Sequence, residues 1–380
     1  MKIVFLCGSL EPGRDGVGDY SRRLAAEFIR QGHEATIVAL HDRFVESAKE
    51  EEQSCGNCKL GVLRIAAHDS DELRVRLAEN WVRLQHPDWV SLQFVPFSFQ
   101  EKGLPFNLKK LLQKIVQGRQ VHVMFHELWV VRDLRISMKL WLIGTIQRQI
   151  ITILVKSLKP LVIHTQTQLY QNYLHRQGFR AEHLPLFSNI PLAVQHRSGV
   201  DETLKEKKKI SFVVFGSIHP NSLFELFAKE VKEYALSTRT DVTLVFIGRS
   251  GSEQLRWKAI WNSMELHVKE LGEQPEEVIS AVLTEASIGL TTTPYALVEK
   301  SGTVAAMLEH GLPVLCIAKP WKPAGTTKSF SIRGITEYKS GVLPNYLMKT
   351  DRFAAKSRIE DVSLQLIESF RKSAKRVVTV

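Results

Sequence analysis

Residues 294–316 read PYALVEKSGTVAAMLEHGLPVLC, and three successive structural elements can be predicted from them. Ser301 is a hydroxyl residue in the position of a helix N-cap, and apolar residues that share one helix face follow it. Gly311 is a residue at which such a helix can end. The apolar run 312–317 after it predicts a strand covered on both sides. A turn, a short helix and a buried strand in this order are typical of an α/β domain.

The same turn carries groups suited to an anionic ligand. The start of the predicted helix offers NH donors and a positive dipole end, and Gly302 lets a ligand come close to the backbone. Glu299 adds a carboxylate just before the turn. An acid beside a phosphate-binding turn suits a sugar nucleotide, because its hydroxyls need an acceptor and its diphosphate needs donors.

Length and charge restrict the class of protein. The chain has 380 residues, more than one hydrophobic core usually serves, so two domains are expected. Its formal net charge of +11 favours an anionic partner, which nucleotide diphosphates, acidic lipid and nucleic acid all are. No nucleic-acid-binding motif accompanies the scattered Lys and Arg residues, so we do not expect nucleic acid among the partners.

The cysteines indicate a reducing compartment, because four of them in so long a chain cannot form a disulfide framework. Cys55 and Cys58 form a CxxC pair, which we interpret as thiols in a surface loop, with zinc or redox chemistry as the alternative. The first apolar run is too short for a signal peptide, and no segment is expected to span a bilayer. A cytoplasmic location is therefore predicted.

Strands and helices alternate along the first half. Lys2–Cys7 predicts a first strand, a Gly-rich loop follows, and a helix is predicted at about 20–31. Further strands are predicted at 34–40, 89–97, 121–125 and 161–165. This alternation predicts a parallel sheet with helices on both faces.

A change of composition separates a second half with the same pattern. The charged stretch RSGVDETLKEKKK predicts a linker at 196–209, after which strands are predicted at 210–215, 242–248 and 287–291. We therefore predict an N-terminal Rossmann-like domain over 1–195 and a C-terminal one over 210–350. Residues 351–380 carry a last helical pattern.

Glycine loops follow several predicted strands. Gly16 and Gly18 lack a third glycine at the spacing of a dinucleotide fingerprint, which argues against NAD. Their loop either binds a ligand at the strand end or uses glycine for conformation only. Gly216 and Ser217 occupy a similar place in the second half. Arg249, one unit later, either forks onto phosphate oxygens or is an exposed loop arginine.

His126 and Glu127 directly follow the predicted strand at 121–125, so we expect them at the same sheet edge as the Gly16 loop. A histidine there either contacts a sugar hydroxyl and stabilises charge at a reacting carbon, or is satisfied by the backbone. Glu127 is either a second polar contact or a solvated strand end. Val130 replaces the second histidine of a zinc-binding HExxH motif.

Residues 132–159 form a helical pattern with many cations and large apolar side chains. An outer helix of an α/β domain has this composition, and so does a helix that lies at a membrane surface. We prefer the outer helix, and keep a peripheral contact with the inner membrane surface as the alternative.

Five segments, in their order and spacing, resemble the retaining family 4 glycosyltransferases of the GT-B fold, in which two Rossmann-like domains face each other across a cleft. They are KIVFLCGSLEPGRDGVGDYSRRLA from residue 2, FHELW around His126, SNIP at 188–191, FGSIHP from residue 215 and ALVEKSGTVAAMLEHGLPV from residue 296. The resemblance covers most of the chain. It implies an α/β fold of this architecture, with residues 351–380 packing back on the first domain.

The resemblance also implies roles for particular residues. His126 and Glu299 correspond to the catalytic groups, His126 contacting the donor sugar and Glu299 holding its hydroxyls. Backbone NH groups of Ser301, Gly302 and Thr303 correspond to those that take the diphosphate. We add as donor-binding candidates Gly16, Val17, Gly18, Gly216, Ser217 and Arg249. The acceptor-side candidates are Asp19, Tyr20 and Glu127.

The sequence departs from the family pattern in two places. Met307 stands eight residues after Glu299, where the family has a second glutamate for the ribose, and the nearby Glu309 is expected on another helix face. The segment GSIHPNS lacks the arginine and lysine that commonly follow the first strand of the second domain. Arg249 or backbone NH groups would then hold the diphosphate.

The activity implied by the resemblance is transfer of a sugar from a UDP- or GDP-type sugar nucleotide to an acceptor hydroxyl, with retention of configuration. The acceptor would be a glycan, a lipid-linked sugar or a small molecule, and no metal or other cofactor is implied. The two departures lead to a second hypothesis, a GT-B-like protein that binds a nucleotide or glycan without transferring sugar.

Overall fold

The computed structural model describes residues 1–130, 137–193, 209–323 and 331–378. The chain divides into two compact units. Unit 1 consists mainly of Met1–Pro185 and Ile359–Val380, and unit 2 of Leu186–Lys322 and Lys328–Arg358. Almost all of the predicted linker at 196–209 lies outside the described residues.

The sheet of unit 1 contains eight strands within the described ranges. They are Lys2–Cys7 (β1), Glu34–Asp42 (β2), Lys49–Cys55 (β3), Cys58–Ala66 (β4), Trp89–Phe94 (β5), Gln120–Phe125 (β6), Val162–Thr165 (β7) and Glu182–His183 (β8). The spatial order is β3-β4-β2-β1-β5-β6-β7-β8. Neighbours are parallel except β3 and β4, which form an antiparallel hairpin.

The helices of unit 1 lie between the strands, except that over the described residues 34–66 no helix separates β2, β3 and β4. They are Gly16–Arg30 (α1), Asp71–Gln85 (α2), Pro96–Phe99 (α3), Leu108–Ile115 (α4), Met138–Leu158 (α5) and Gln168–Arg176 (α6). Every residue of β5 is buried. A parallel sheet covered on both faces produces this pattern, because helices screen each face from water.

Unit 2 repeats the arrangement with six described strands, all parallel. The strands are Lys209–Phe215 (β9), Asp241–Ile247 (β10), His267–Gly272 (β11), Ile288–Thr291 (β12), Val314–Cys316 (β13) and Ile335–Glu337 (β14), in the order β11-β10-β9-β12-β13-β14. The helices are Phe224–Thr238 (α7), Glu253–Ser263 (α8), Glu276–Glu285 (α9), Gly302–Glu309 (α10) and Leu343–Lys349 (α11). A 3₁₀ turn, Tyr295–Lys300, precedes α10.

The last helix, Ile359–Val378 (α12), belongs to unit 1. Its Phe370 stacks on Trp89 of β5 with ring centroids 4.1 Å apart. The helix begins later than the predicted residue 351, because residues 351–358 are attached to unit 2. There Arg352 donates to the carbonyl oxygens of His310 (2.6 Å), Leu283 (3.2 Å) and Ala286, which lie in the last turn of α9 or directly after α9 and α10.

The first division of the chain also falls earlier than the predicted residue 195. Residues after Pro185 are held by unit 2, since the NH of Ser188 donates to Glu309 (2.8 Å) and the NH of Ala193 to the Ser280 hydroxyl (2.9 Å). These hydrogen bonds join backbone groups to buried side chains, a feature that composition does not reveal.

The CxxC pair lies at the tip of a hairpin and not in an irregular loop. Cys55 is the last residue of β3 and Cys58 the first of β4, and the two stand opposite each other. Neither of them is part of a disulfide. Across the described residues, no group of three or more His, Cys, Asp or Glu side chains is placed to hold a metal ion.

Helix α5 corrects one expectation about membranes. Among the described residues it is the one helix long and apolar enough, by length and composition, to cross a bilayer, although we expected no such segment. One side of α5 nevertheless packs against the rest of unit 1. Gln147 anchors it there, donating to the Gly103 carbonyl (3.1 Å) and accepting from the Val130 NH (2.9 Å). Residues 131–136 of the predicted pattern lie outside the described residues.

Candidate functional site

The first candidate site lies at the carboxyl ends of β1, β5 and β6, which are parallel neighbours. The strand order reverses between β1 and β5, and open α/β sheets bind ligands at such a point. A Cβ on Gly8 would lie 2.6 Å from the Cβ of Ser98, so the loop after β1 touches α3 after β5. Only glycine allows that approach.

The predicted donor-binding glycines stand at the start of α1, where Asp15 is the N-cap. Its Oδ1 accepts hydrogen bonds from the NH groups of Val17 and Gly18, both at 2.9 Å. Burial raises the pKa of Asp15, since it disfavours the charged carboxylate. A phosphate at this helix start would therefore compete with the Asp15 side chain for the amides of Val17 and Gly18.

Asp42, at the end of β2, fixes the loop that precedes α1. Its carboxylate accepts from the Leu10 NH (3.0 Å), the Ser9 hydroxyl (3.1 Å) and Arg64 Nε (2.7 Å). Burial alone would raise the pKa of Asp42, but the hydrogen bonds from Arg64 and the backbone lower it. Sequence reasoning missed this pair, although Arg64 interrupts an otherwise apolar run in β4.

Two acceptor-side candidates already have partners within unit 1. The Asp19 carboxylate accepts from the Gly13 NH (3.1 Å) and forms an ion pair with Arg22. Tyr20 is buried, and its ring meets the edge of the His126 ring with centroids 4.8 Å apart. Tyr20 thus positions His126 by packing.

His126 follows β6 directly and is 5% exposed. Its Nε2 lies 2.9 Å from the side-chain oxygen of Gln93, and its NH donates to the Phe94 carbonyl at 3.1 Å. The imidazole of His126 is therefore held by the Gln93 side chain, whereas the alternative expected a backbone partner. Glu127 is partly exposed beside it, and its NH lies 3.4 Å from the same carbonyl.

The second candidate site lies at the carboxyl edge of unit 2. Strand β9 lies between β10 and β12, so the strand order reverses there. The loops after these strands meet: the backbone NH of His219 donates to the Thr292 hydroxyl (2.8 Å), and the NH of Ile218 to the Ser250 carbonyl (3.1 Å). Gly216 has φ +75°, and a Cβ on it would lie 3.0 Å from Thr303 Cγ2.

Helix α10 begins at the same edge, as the sequence predicted. Ser301 is its N-cap, and the hydroxyl accepts from the Val304 NH at 3.4 Å and lies 3.1 Å from the Thr303 hydroxyl. Gly302 is exposed and is the first residue of the helix. Glu299 is half-buried in the preceding 3₁₀ turn. The structure thus brings a carboxylate, two hydroxyls and a helix N-terminus together.

The place of the second glutamate is filled by a core residue. Met307 is fully buried, and its sulfur lies only 2.2 Å from where a Cβ on Gly289 would stand. Glu309 is buried too, and its carboxylate accepts from the Ser188 NH. Met307 therefore packs under β12, while Glu309 attaches the SNIP segment to unit 2.

The two remaining donor-side candidates are exposed. Ser217 follows Gly216 in the loop after β9. The Arg249 side chain is 50% exposed, and its Nε lies 3.7 Å from a carboxylate oxygen of Glu273 in the loop after β11. An exposed pair at this separation contributes little to stability, so Arg249 can exchange Glu273 for a phosphate at small cost.

A substitution at Gly302 tests whether a ligand binds at this edge of unit 2, because it should not disturb folding. A Cβ there meets no atom within 4 Å, so Gly302→Val is expected to fold normally, whereas its methyl groups would occupy space beside the NH groups of α10. We expect affinity for UDP or GDP to fall by at least about tenfold, or 1.4 kcal/mol. Calorimetry measures the affinity, and Gly302→Ala should give a smaller loss. Wild-type affinity in Gly302→Val would contradict a ligand at this helix start.

No protein-family model matches the sequence, and no curated protein sequence matches it. Solved structures match along its whole length. Anabaena HepE in complex with UDP-glucose is 15% identical with a TM-score of 0.57, and the match covers 100% of both chains. The lipopolysaccharide outer core galactosyltransferase WaaB is 13% identical with a TM-score of 0.54, over 99% of each chain. The UDP-GlcNAc 2-epimerase from Neisseria meningitidis bound to UDP-GlcNAc is 11% identical with a TM-score of 0.53, over 98% of this chain and 100% of that one.

At these identities the likeness is one of fold. The chain has the GT-B fold, an α/β fold of two Rossmann-like domains, and the predicted fold class is confirmed. The same fold carries both a galactosyltransferase and an epimerase among these neighbours, so the activity has to be argued from the site.

Proposed function

We propose that this protein transfers a sugar from a nucleotide diphosphate sugar to an acceptor hydroxyl. One observation carries the proposal: Glu299, the Ser301-capped start of α10 and the glycine loop after β9 lie together where the strand order of unit 2 reverses. The helix start offers donors for the diphosphate, and the carboxylate offers an acceptor for sugar hydroxyls. HepE and the epimerase, which share the fold, bind UDP-glucose and UDP-GlcNAc.

In the proposed reaction the configuration of the sugar is retained, and no metal takes part. The donor's own phosphate helps to deprotonate the acceptor hydroxyl as the glycosidic bond breaks on the same face. The NH groups at the start of α10 and the Arg249 guanidinium stabilise the leaving diphosphate. Glu299 positions the donor sugar, and His126 contacts it and stabilises positive charge at the reacting carbon through its lone pair. Glu127 and Asp19 are the acceptor-side candidates that are partly exposed.

A binding protein without transferase activity is the second candidate, and one observation favours it. Met307 and Glu309 both have structural roles, so neither offers a carboxylate to the ribose. The segment GSIHPNS likewise contains neither arginine nor lysine. Such a protein would bind the nucleotide through the edge of unit 2 and release no free diphosphate.

Proton NMR of the products separates these activities. The full chain is incubated with UDP- and GDP-sugars and a panel of glycan and lipid-linked acceptors. A new glycoside with the donor's anomeric configuration supports the proposal. Tight binding with an unchanged donor supports the binding protein, and inversion at C2 of the sugar would indicate an epimerase.

We further propose that α5 brings unit 1 to the inner surface of the membrane, in contact with lipid-linked acceptors. At its N-terminal end Met138, Leu140, Trp141 and Leu142 are exposed, and cationic Lys139 lies among them. Apolar side chains beside a cation are what an anionic membrane surface attracts. The location proposed for the protein is therefore cytoplasmic and peripheral.

The double variant Trp141→Glu, Leu142→Glu is expected to lower binding to vesicles that contain phosphatidylglycerol by at least about tenfold, because one buried apolar side chain contributes about 1.5–3 kcal/mol. Sedimentation with the vesicles measures it. Leu84→Glu is the matched control, since Leu84 is equally exposed on α2 of the same unit. Equal binding by wild type and double variant would contradict this contact.

A further inference from the structure

Four polar side chains lie fully buried in the sheet of unit 1. Ser91 and Gln93 are in β5, His122 is in β6 and His164 is in β7, and each is 0% exposed. Central parallel strands are normally apolar, and a buried polar group destabilises the fold unless it is hydrogen-bonded. These four residues are joined by hydrogen bonds that begin at His126 and end at α12.

The first bonds determine which nitrogen of His126 carries a proton. Gln93 donates through its Nε2 to the Ser91 hydroxyl at 2.7 Å, which directs its amide oxygen to His126 Nε2 at 2.9 Å. An amide oxygen only accepts, so the hydrogen must be on His126 Nε2. When the His126 ring is neutral, its lone pair is then on Nδ1.

The bonds at the other end run in the same direction. The Ser369 hydroxyl of α12 donates to the Gln365 carbonyl at 3.0 Å, so it accepts from His164 Nε2, 3.4 Å away. His164 Nδ1 then accepts from His122 Nε2 at 3.1 Å, and His122 Nδ1 accepts from the Ser91 hydroxyl at 2.8 Å. With the Gln93 amide oriented as described above, the opposite direction would leave the Ser91 hydroxyl proton without an acceptor among these side chains.

His122 and His164, the two histidines inside this hydrogen-bonded chain, are neutral at physiological pH. Burial lowers the pKa of His122 well below its usual value and lowers the pKa of His164 to about 4. A protonated His122 would have to donate to Ser91, which would reverse the bonds in front of it. A neutral His122 accepts at one ring nitrogen and donates at the other, as the direction set by Gln93 requires.

We propose that Gln93 is the positioning residue for His126, and that the chain from Gln93 through Ser91, His122 and His164 to α12 holds the His126 ring as its Nε2–H tautomer with the lone pair on Nδ1. The tie to catalysis rests on the role proposed above for His126. The tautomer itself can be measured without any activity.

Long-range proton–nitrogen correlation spectra of the full chain, labelled with ¹⁵N-histidine, distinguish protonated from bare ring nitrogens. His126→Asn identifies the His126 signals. In the wild type we expect a proton on His126 Nε2 and none on Nδ1. In Gln93→Leu the two tautomers should mix, and Gln93→Glu, which also only accepts, should restore the single form. A wild-type Nδ1–H tautomer, or unchanged signals in Gln93→Leu, would overturn the proposal.

Two variants test the part of the hydrogen-bonded chain that does not contact His126. His122→Phe removes the acceptor of the Ser91 proton, and Ser91→Ala removes the same link with a smaller change of volume. Each should mix the tautomers of His126. His175→Phe is the control, because His175 bonds the Ala181 carbonyl outside the chain. His126 signals that remain single in both chain variants would limit the positioning role to Gln93 and so contradict the extended chain.

Kinetics then separates this inference from the proposed function. General acid–base and charge-stabilising groups contribute about 10²–10⁴-fold, so loss of orientation in Gln93→Leu should lower kcat by at least about tenfold with KM little changed. If the predicted tautomer is observed but His126→Ala keeps full activity, the catalytic role of His126 is refuted and the hydrogen-bonded chain still stands. If sugar transfer is observed without the predicted tautomer, the hydrogen-bonded chain is refuted as the device that positions His126, and the proposed function still stands.

Discussion

Glu299→Ala is expected to lower kcat/KM for sugar transfer by at least about a hundredfold. A carboxylate that accepts from two sugar hydroxyls makes charge-assisted hydrogen bonds worth about 1.5–3 kcal/mol each. Removing both costs at least about 3 kcal/mol, and each 1.4 kcal/mol is a factor of ten. The loss is measured from initial rates of nucleoside diphosphate release in the presence of acceptor.

Two control variants show whether the loss of kcat/KM in Glu299→Ala is specific to the Glu299 carboxylate. Glu299→Gln keeps the shape and one acceptor oxygen, so its activity should lie between wild type and alanine. Glu285→Ala removes an exposed glutamate at the end of α9 in the same unit and should leave the rate unchanged. A Glu299→Ala enzyme with a native melting temperature and wild-type turnover would refute the role of this residue.

His126→Ala is expected to lower kcat by about 10²-fold or more, the range of a positioned group that stabilises developing charge. The substitution also leaves the amide oxygen of buried Gln93 without its donor, which costs about 1–3 kcal/mol of folding stability. Rates must therefore be measured well below the melting temperature of the variant.

His183→Ala is the matched control for that loss of stability. His183 is half-buried in unit 1, whereas His126 is buried, and the Nε2 of His183 lies 3.0 Å from the Gln166 carbonyl. It should lose a hydrogen bond and stability while retaining its rate. Equal rates for the His126 and His183 variants would remove His126 from the reaction.

Much of the fold could be predicted because its strands are apolar and its turns contain glycine. The predicted first strand coincides with β1, and Ser301 and Gly311 bound the helix α10 as expected. Strand β3 was missed, since KEEEQSC is an acidic edge strand without the β-branched residues that mark a strand. Helix α1 begins at Gly16 and not near residue 20, because Asp15 caps a glycine-rich turn that resembled a loop.

The candidate sites were predictable in part. Strand ends and a helix start give the positions of His126, Glu299 and Ser301, because the carboxyl edge of a parallel sheet is set by chain direction. The partners of these residues depend on contacts between distant segments. That Asp15 occupies the amides of Val17 and Gly18, or that Glu309 binds Ser188, cannot be derived from spacing.

The hydrogen-bonded chain behind His126 did leave a signal in the sequence. Polar residues alternate with apolar ones in WVSLQF and QVHVMF, and a histidine interrupts VIHT. In strands buried on both faces such residues require partners, and their shared alternation places them on one face of the sheet. The pattern indicates a buried polar network but not its direction, which follows from Gln93 and Ser369.

Thermal unfolding of the full chain with UDP, GDP and ADP tests most directly whether unit 2 binds the nucleotide diphosphate of a sugar donor. A ligand bound only by the native state stabilises it by about 2.7 kcal/mol at a hundred times its Kd. We predict that one of the three raises the melting temperature of the wild type, and that Gly302→Val greatly reduces this shift. No shift with any of them, or with their sugar conjugates, would show that unit 2 does not bind the nucleotide of a sugar donor.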